Sequence, residues 1–316
     1  MIIFTEMVKK MKSDFDVVII GAGVAGMTAA IYLKRSGINC CLLEREVPGG
    51  QINKSSSVKN YPGFLDISGP DLSNNIFEQI RELEVPYKYG NVLKIEVSDG
   101  QKIVKTDLEE ITTQNIIIAT GRKSRKLDVP GEDKLLGKGV SYCALCDANF
   151  FKDEDVLVIG GANSALEEAI YLSNICRSVT IIHRRDTLTA DEVFIEQIKQ
   201  IKNITIRYNC LPKKLNEKEG RLESVTIENE QQQDEEIKVK GCFIYIGQVP
   251  ANEIFKDILN FDDKGYIEVD KHQQTNIKGI YAAGDVVKKD AYQLLTAMSD
   301  GVIAAVNCIV DIKKGA

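Results

Sequence analysis

Two copies of one local pattern constrain this chain more than anything else in it. The first begins at Asp16-Val-Val-Ile-Ile20, a short apolar run of the kind found in a strand buried on both faces. Gly21-Ala-Gly-Val-Ala-Gly26 follows, then a helical stretch over 27–36, Gly37 as a stop, and a second strand over 38–43 that ends at Glu44. The second copy starts at Asp155-Val-Leu-Val-Ile159, turns at Gly160-Gly-Ala-Asn-Ser-Ala165, continues as a helix over 166–174 and returns as a strand over 179–182. Strand, glycine turn, helix, strand is a βαβ unit, which requires a parallel sheet with crossover helices. The fold class is therefore α/β, with two Rossmann-like three-layer domains. A length of 316 residues, too long for one ordinary core, also argues two domains.

The two turns carry different chemistry. Gly21 permits the tight turn, Gly23 lets backbone approach a pyrophosphate, and Gly26 allows close helix–strand packing. The helix N-terminus receives phosphates, and Glu44 can accept hydrogen bonds from ribose hydroxyls. In the second unit the place of Glu44 is taken by His183-Arg184-Arg185. An acid suits a bare ribose, whereas arginines suit a 2′-phosphate. The first unit thus reads as a site for an adenine dinucleotide such as FAD, and the second as a site for NADPH. The bland readings are a ligand-free glycine turn and a solvated strand end.

Between the two units lies Ser141-Tyr-Cys-Ala-Leu-Cys-Asp147, with Cys143 and Cys146 spaced to close a small reversible disulfide beside an acid, Asp147. Taken alone the pair is a redox couple, half a zinc site or two buried cysteines. The zinc reading fails on ligand count, because there is no second Cys-x-x-Cys and His183 and His272 are isolated. The other six of the eight cysteines mostly sit in apolar stretches, as expected in a reducing cytosol. A net charge of -6 argues against nucleic acid and anionic membranes as partners. No apolar run approaches the roughly 18 residues of a membrane span. The lysine-bearing N-terminus is a poor signal peptide, and Met1–Lys10 reads as an extension or a choice of start codon upstream of Met11.

The remaining pattern is coarser. Pro48-Gly-Gly-Gln51 and Asn60-Tyr-Pro-Gly63 are turn signals, 71–83 is an amphipathic helix, and 87–106 holds short strands with a turn at Asp99-Gly100. Further strands are expected over 115–121, 204–208, 222–228, 236–246 and 279–283, and further helices over 191–202 and 292–310.

Together these residues resemble the low-molecular-weight, bacterial-type thioredoxin reductases, which are flavoprotein pyridine nucleotide-disulfide oxidoreductases. The resemblance runs from about Asp14 to Lys314. It rests on Gly21-x-Gly-x-x-Gly26, Pro48–Gln51, Asn60–Gly63, Ala119-Thr-Gly121, Cys143-x-x-Cys-Asp147, the Gly160 turn, His183–Arg185, Gly247-x-x-Pro250 and Gly284-Asp285. It implies a discontinuous FAD domain, 1–126 plus 251–316, with an NADPH domain, 127–250, inserted in it and carrying the cysteine pair. It further implies hydride transfer from NADPH to FAD, then electron transfer through the disulfide to thioredoxin, as the smaller domain rotates, in a cytoplasmic homodimer. By resemblance Cys146 is the flavin-proximal thiol, Cys143 attacks the substrate disulfide and Asp147 handles the proton. The FAD contacts carried over are Gly21, Gly23, Ala25, Gly26, Glu44, Arg45, Gly49, Gly50, Gln51, Asn60, Val92, Ala119, Thr120, Gly121, Gly284, Asp285, Tyr292, Gln293 and Leu294. Those for NADPH are Gly160, Asn163, Ser164, Ala165, His183, Arg184 and Arg185.

The chain departs from the pattern at Ala162 (usually Gly), Thr189 and Tyr292 (each usually Arg) and Ala148 (usually Gly). These departures keep open a ferredoxin-dependent or otherwise NADPH-independent flavin thioredoxin reductase. A disulfide-switched flavin redox sensor is the non-enzymatic alternative.

Overall fold

The computed structural model describes residues 13–98 and 100–315. The chain divides into two units, one running through Arg122 and resuming at Pro250, the other Lys123–Val249. It passes between them through strands Arg122–Ser124 and Gln248–Pro250, which pair with each other. The turn expected at Asp99-Gly100 lies partly outside the described residues.

In the first unit the leading strand, Phe15–Ile20, pairs in parallel with Cys40–Glu44 on one side and with Glu110–Ile118 on the other. The outer strands of this seven-stranded sheet are Tyr87–Tyr89 beside Cys40–Glu44, and the antiparallel Gln101–Thr106 and Val92–Ser98 beyond Glu110–Ile118. Ile280–Ala282 pairs with the C-terminal half of Glu110–Ile118. Alternation along the central strand feeds two cores. Val17 and Ile19 pack with Met27, Leu33 and Ile309 on the helical face, and Val18 and Ile20 pack with Val92, Val104 and Phe255 on the other.

The helical face is built from Val24–Arg35, Gly69–Glu82 and Leu294–Lys314. Gly69–Glu82 starts where Ser68 accepts a hydrogen bond from the Asp71 N–H, with Pro70 in its first turn, and it buries Leu72, Ile76 and Ile80 at helical spacing. Leu294–Lys314 corrects the reading that no segment is long and apolar enough to cross a membrane, because on length and composition alone this helix is. Asp300, Gly301 and Asp311 interrupt its apolar sequence. In the fold those residues bind inward: Asp311 accepts from the Tyr281 hydroxyl at 2.6 Å, and Gly301 lies against Ala25 of the first helix.

The second unit repeats the plan. Its five-stranded parallel sheet has the order Ile204–Arg207, Ser178–Ile182, Asp155–Gly160, Gly241–Tyr245, Val140–Ser141. Helix Asn163–Ser173 covers one face through Ala165, Leu166, Ala169 and Leu172. A three-stranded antiparallel sheet, Leu211–Lys218, Arg221–Glu228 and Asp234–Lys238, covers the other through Leu215, Leu222, Val225 and Ile227. The stretch 236–246, read as one strand, is two. Asp234–Lys238 belongs to the antiparallel sheet and Gly241–Tyr245 to the parallel one, with the break at Val239-Lys240.

Candidate active site

The first glycine turn is fixed by close backbone approach. Gly21 has φ +104°, and a side chain there would meet the Ala119 carbonyl oxygen at 2.4 Å. A Cβ on Gly26 would stand 1.9 Å from the Gly21 carbonyl, whereas one on Gly23 would meet nothing within 4 Å. Two of the three glycines are therefore demanded by the fold, and the third opens onto free space at the start of Val24–Arg35. Glu44 is already oriented: its carboxylate accepts from the N–H groups of Ala22, Arg45 and Glu46 at 2.8, 2.8 and 2.9 Å.

The turn at 48–51, whose spacing suits a plain loop as well as a ligand contact, docks on this one. The Gly49 N–H donates to the Ala22 carbonyl at 2.8 Å, and Gly50 faces Gly23. Asn60 and Gln293, far apart in sequence, join through a 3.1 Å side-chain hydrogen bond, and the Thr120 hydroxyl donates to the Ala251 carbonyl at 2.6 Å. Gly284, at φ +79°, packs on Ala25, and its N–H donates to Asp300, which is also ion-paired with Lys289. Next to it, Asp285 Oδ1 is buried with no hydrogen-bond partner among the described residues, and burial holds its carboxyl above the usual range. Val92 sits in the core with Ile20 and Leu43, and Arg45 is exposed, paired with Glu46.

One residue missing from the sequence reading is central here. Arg122 has its guanidinium 4.5 Å from the centre of the Tyr292 ring, and its carbonyl accepts from Gln51 Nε2 at 2.9 Å. The available signal was its position directly after Ala119-Thr-Gly121.

In the second unit, a side chain on Gly160 would meet the Tyr245 carbonyl, and one on Gly161 would run into the His183 ring at 2.2 Å. His183 is thus a wall of the turn, and burial lowers its pKa. Ala162 caps Asn163–Ser173 without a side-chain hydrogen bond, and Ala165 packs under Gly160. Asn163 and Asp191 exchange hydrogen bonds at 2.8 and 2.7 Å. Thr189 holds the Gly161 carbonyl with both its N–H, at 2.8 Å, and its hydroxyl, at 3.3 Å. Arg184 and Arg185 are exposed and, among the described residues, form no ion pair.

Cys143 stands between strand Val140–Ser141 and the helical turn Ala144–Asp147, and Cys146 lies within that turn. Cys143 and Cys146 are joined as a disulfide with Cα atoms 5.4 Å apart. Cys143 is buried and caps the turn, its sulfur accepting the Cys146 N–H at 3.2 Å, while Cys146 is exposed. Ser141 links the acid to the pair: its hydroxyl donates to Asp147 at 2.6 Å and accepts from the Cys143 N–H at 3.0 Å. The Tyr245 hydroxyl accepts from the Ala144 N–H at 2.8 Å. Beyond the turn, Phe150 is 81% exposed. The other six cysteines are buried as free thiols, and burial pushes Cys40 up to about 11 and Cys41 up to about 12, which makes them unreactive. Among the described residues no group of three or more His, Cys, Asp or Glu could hold a metal ion.

Two glycine-turn units and a disulfide with its own acid are the architecture matched over residues 15–301 by the pyridine nucleotide-disulphide oxidoreductases. The chain belongs to that family. It is 42% identical over 294 residues to a thioredoxin reductase of Bacillus subtilis (strain 168), covering 92% of each chain. It is 41% identical over 301 residues to a thioredoxin reductase of Mycoplasma genitalium, covering 94% of this chain and 95% of that one. The crystal structure of Lactococcus lactis thioredoxin reductase superposes with a TM-score of 0.87 at 43% identity, over 94% of this chain and 99% of that chain.

Proposed function

We propose that this chain is a thioredoxin-disulfide reductase that takes electrons from NADPH through FAD. The observation that carries the reading is the Cys143–Cys146 disulfide, hydrogen-bonded through Ser141 to Asp147 and borne on the second nucleotide unit.

FAD fits the first unit on this chain's own features. Gly23 is open where a phosphate would approach, Glu44 is fixed as an acceptor for ribose hydroxyls, and Asp285 Oδ1 lacks the donor that a polyol hydroxyl would supply. When bound, FAD accepts two electrons from a nicotinamide and passes them one disulfide onward. NADPH fits the second unit through the Gly160 turn and the two exposed arginines, which match a 2′-phosphate.

The remaining steps belong to protein groups. Two electrons and one proton open the disulfide, leaving one thiol and one thiolate. Cys143 is the attacking sulfur, because the Cys146 N–H at 3.2 Å stabilises a thiolate there. Its thiolate displaces one sulfur of the partner's disulfide. Cys146 then gives up its proton and resolves the mixed disulfide, restoring Cys143–Cys146 and releasing the partner as one thiol and one thiolate, the thiolate taking a second proton from water. Asp147 exchanges the proton with the departing sulfur, and Ser141 holds its carboxylate. Cys143 is only 8% exposed, so attack on a protein disulfide requires its surroundings to withdraw.

The test is anaerobic reduction of the purified yellow protein by NADPH, NADH or reduced ferredoxin, followed by thioredoxin turnover. NADPH should bleach the flavin near 450 nm. Cys143→Ser should keep that bleaching and lose thioredoxin reduction. Bleaching by ferredoxin alone would refute NADPH as donor, and normal thioredoxin reduction in Cys143→Ser would refute the role of Cys143.

A further inference from the structure

The turn that carries Asp285 is held from three directions by one carboxylate. Asp300, in helix Leu294–Lys314, accepts the Gly284 N–H on Oδ2 at 3.1 Å and Gln273 Nε2 on Oδ1 at 3.3 Å, and it is ion-paired with Lys289. The pair is largely out of solvent, with 12% of the Lys289 side chain and 16% of the Asp300 side chain exposed. Gln273 extends the brace to the strand before the turn, because its carbonyl accepts the Ala282 N–H at 3.0 Å. A Cβ on Gly301, the next residue of the helix, would lie 2.3 Å from the Ala25 carbonyl oxygen, and one on Gly284 would lie 2.8 Å from the Ala25 Cβ. Asp300 thus fixes Gly284 where the C-terminal helix meets the first glycine turn.

These contacts set the backbone that presents the neighbouring carboxyl. Gly284 holds a φ of +79°, which side-chain-bearing residues rarely adopt, and Asp285 follows directly. Asp285 Oδ1 is buried with no hydrogen-bond partner among the described residues, which leaves it open to a ligand donor. Burial raises the pKa of this carboxyl, Lys289 and Arg122 draw it down, and Asp300 pushes it up. Lys289 and Asp300 therefore share one structural task while acting in opposite directions on the charge of Asp285.

We propose that the buried Lys289–Asp300 pair is a positioning element of the FAD site, holding Gly284 so that the Asp285 carboxylate accepts a hydrogen bond from the cofactor's polyol. The inference deepens the FAD reading of the first unit and rests on it. Asp300 fixes the backbone, and Lys289 keeps Asp285 ionised beside it. Because the bound state uses the carboxylate, a protonated Asp285 must lose its proton before FAD binds. FAD affinity therefore falls as pH drops through the raised Asp285 pKa.

The experiment is FAD titration of flavin-stripped protein by fluorescence quenching, from about pH 8 down to the acid limit at which thermal unfolding still shows a folded chain. Wild type should lose affinity on the acid side, and Asp285→Asn should lose that pH dependence together with tight binding. Asp300→Asn keeps an acceptor for the Gly284 N–H and removes the like charge, so the acid limb should move to lower pH by at least about half a unit. Lys289→Met should move the limb the other way, and Lys289→Arg, which keeps the charge, should match wild type. Asp300→Leu removes the acceptor and should weaken FAD binding about tenfold at every pH. A merely structural pair would move both limbs alike. Shifts in the same direction in Asp300→Asn and Lys289→Met, or a pH-independent wild type, would overturn the proposal. So would wild-type affinity in Asp300→Leu. If Lys289→Met does not fold, Asp300→Asn still carries the test, and an unshifted limb there overturns the proposal. Wild-type protein that binds no FAD at any pH would instead refute the underlying cofactor reading.

Discussion

Gly23 and Gly26 stand three residues apart in one turn, and alanine at each should separate cofactor binding from folding. Gly23 has φ −70° and ψ 177°, a conformation alanine adopts freely, and its new methyl would meet nothing within 4 Å. Alanine is a poorer helix cap than glycine, but it also lowers the entropy of the unfolded chain by about 0.4–1 kcal/mol. The two effects roughly cancel, so flavin-free protein should keep its melting temperature. The methyl does occupy the space through which a pyrophosphate would reach the helix N-terminus. Loss of one charge-assisted contact costs roughly 1.5–3 kcal/mol, or about 10- to 150-fold in FAD affinity. At Gly26 the methyl would lie 1.9 Å from the Gly21 carbonyl oxygen, a backbone atom that cannot swing aside. Overpacking of about 1–3 kcal/mol then outweighs a helix-propensity gain of up to about 1 kcal/mol. Net losses of roughly 1–2 kcal/mol lower Tm by about 2–8 °C even without FAD. The assay is thermal unfolding of flavin-stripped protein together with FAD titration by fluorescence quenching. Unchanged FAD affinity in Gly23→Ala, or equal loss of apo stability in both variants, would refute the reasoning.

Two further outcomes follow from the second unit. Thr189→Arg keeps the backbone bond to Gly161 and loses only a 3.3 Å hydroxyl contact, so the turn should survive. NADPH KM should then fall about tenfold with NADH KM unchanged, and equal shifts for both nucleotides would show that position 189 does not face the 2′-phosphate. Burial holds the His183 pKa below its ordinary 6.5. Between the two values the unfolded chain binds more protons than the folded one, so stability falls as pH drops through that window. His183→Gln should flatten this acid limb in Tm measured from about pH 7.5 down to 5, and an identical limb in the variant would count against the assignment.

What the sequence made legible was whatever leaves a local signature. The runs at 16–20 and 155–159 are continuous because both faces of those strands are buried, and the glycine turns follow them without a gap. The strand Leu211–Lys218 was missed for the opposite reason. It is largely exposed, and register shifts at Pro212/Lys214 and Asn216/Glu217 break the alternation that would have announced it. The helix starts at Val24 and Asn163 were hidden inside turn-like glycine, alanine and asparagine. Arg122 left only its place after Ala119-Thr-Gly121 as a signal, because Gln51 and Tyr292 lie far from it in sequence and only the fold joins them.

The two nucleotide units share a plan but differ in how much of the binding is prepared in advance. In the first, three backbone N–H groups hold Glu44, a second turn is bonded onto the first through Gly49, and Asn60 is tied to Gln293. Little side-chain freedom is left to lose when a ligand arrives, which favours tight, long-lived binding. In the second, the charged groups are two exposed arginines with no ion pair among the described residues, and the helix start is occupied by an Asn163–Asp191 pair of this chain's own. A ligand there must order long side chains and work beside a carboxylate, so the same fold gives weaker and faster exchange. That asymmetry is what a chain needs if one dinucleotide stays as a resident carrier and the other comes and goes each turnover.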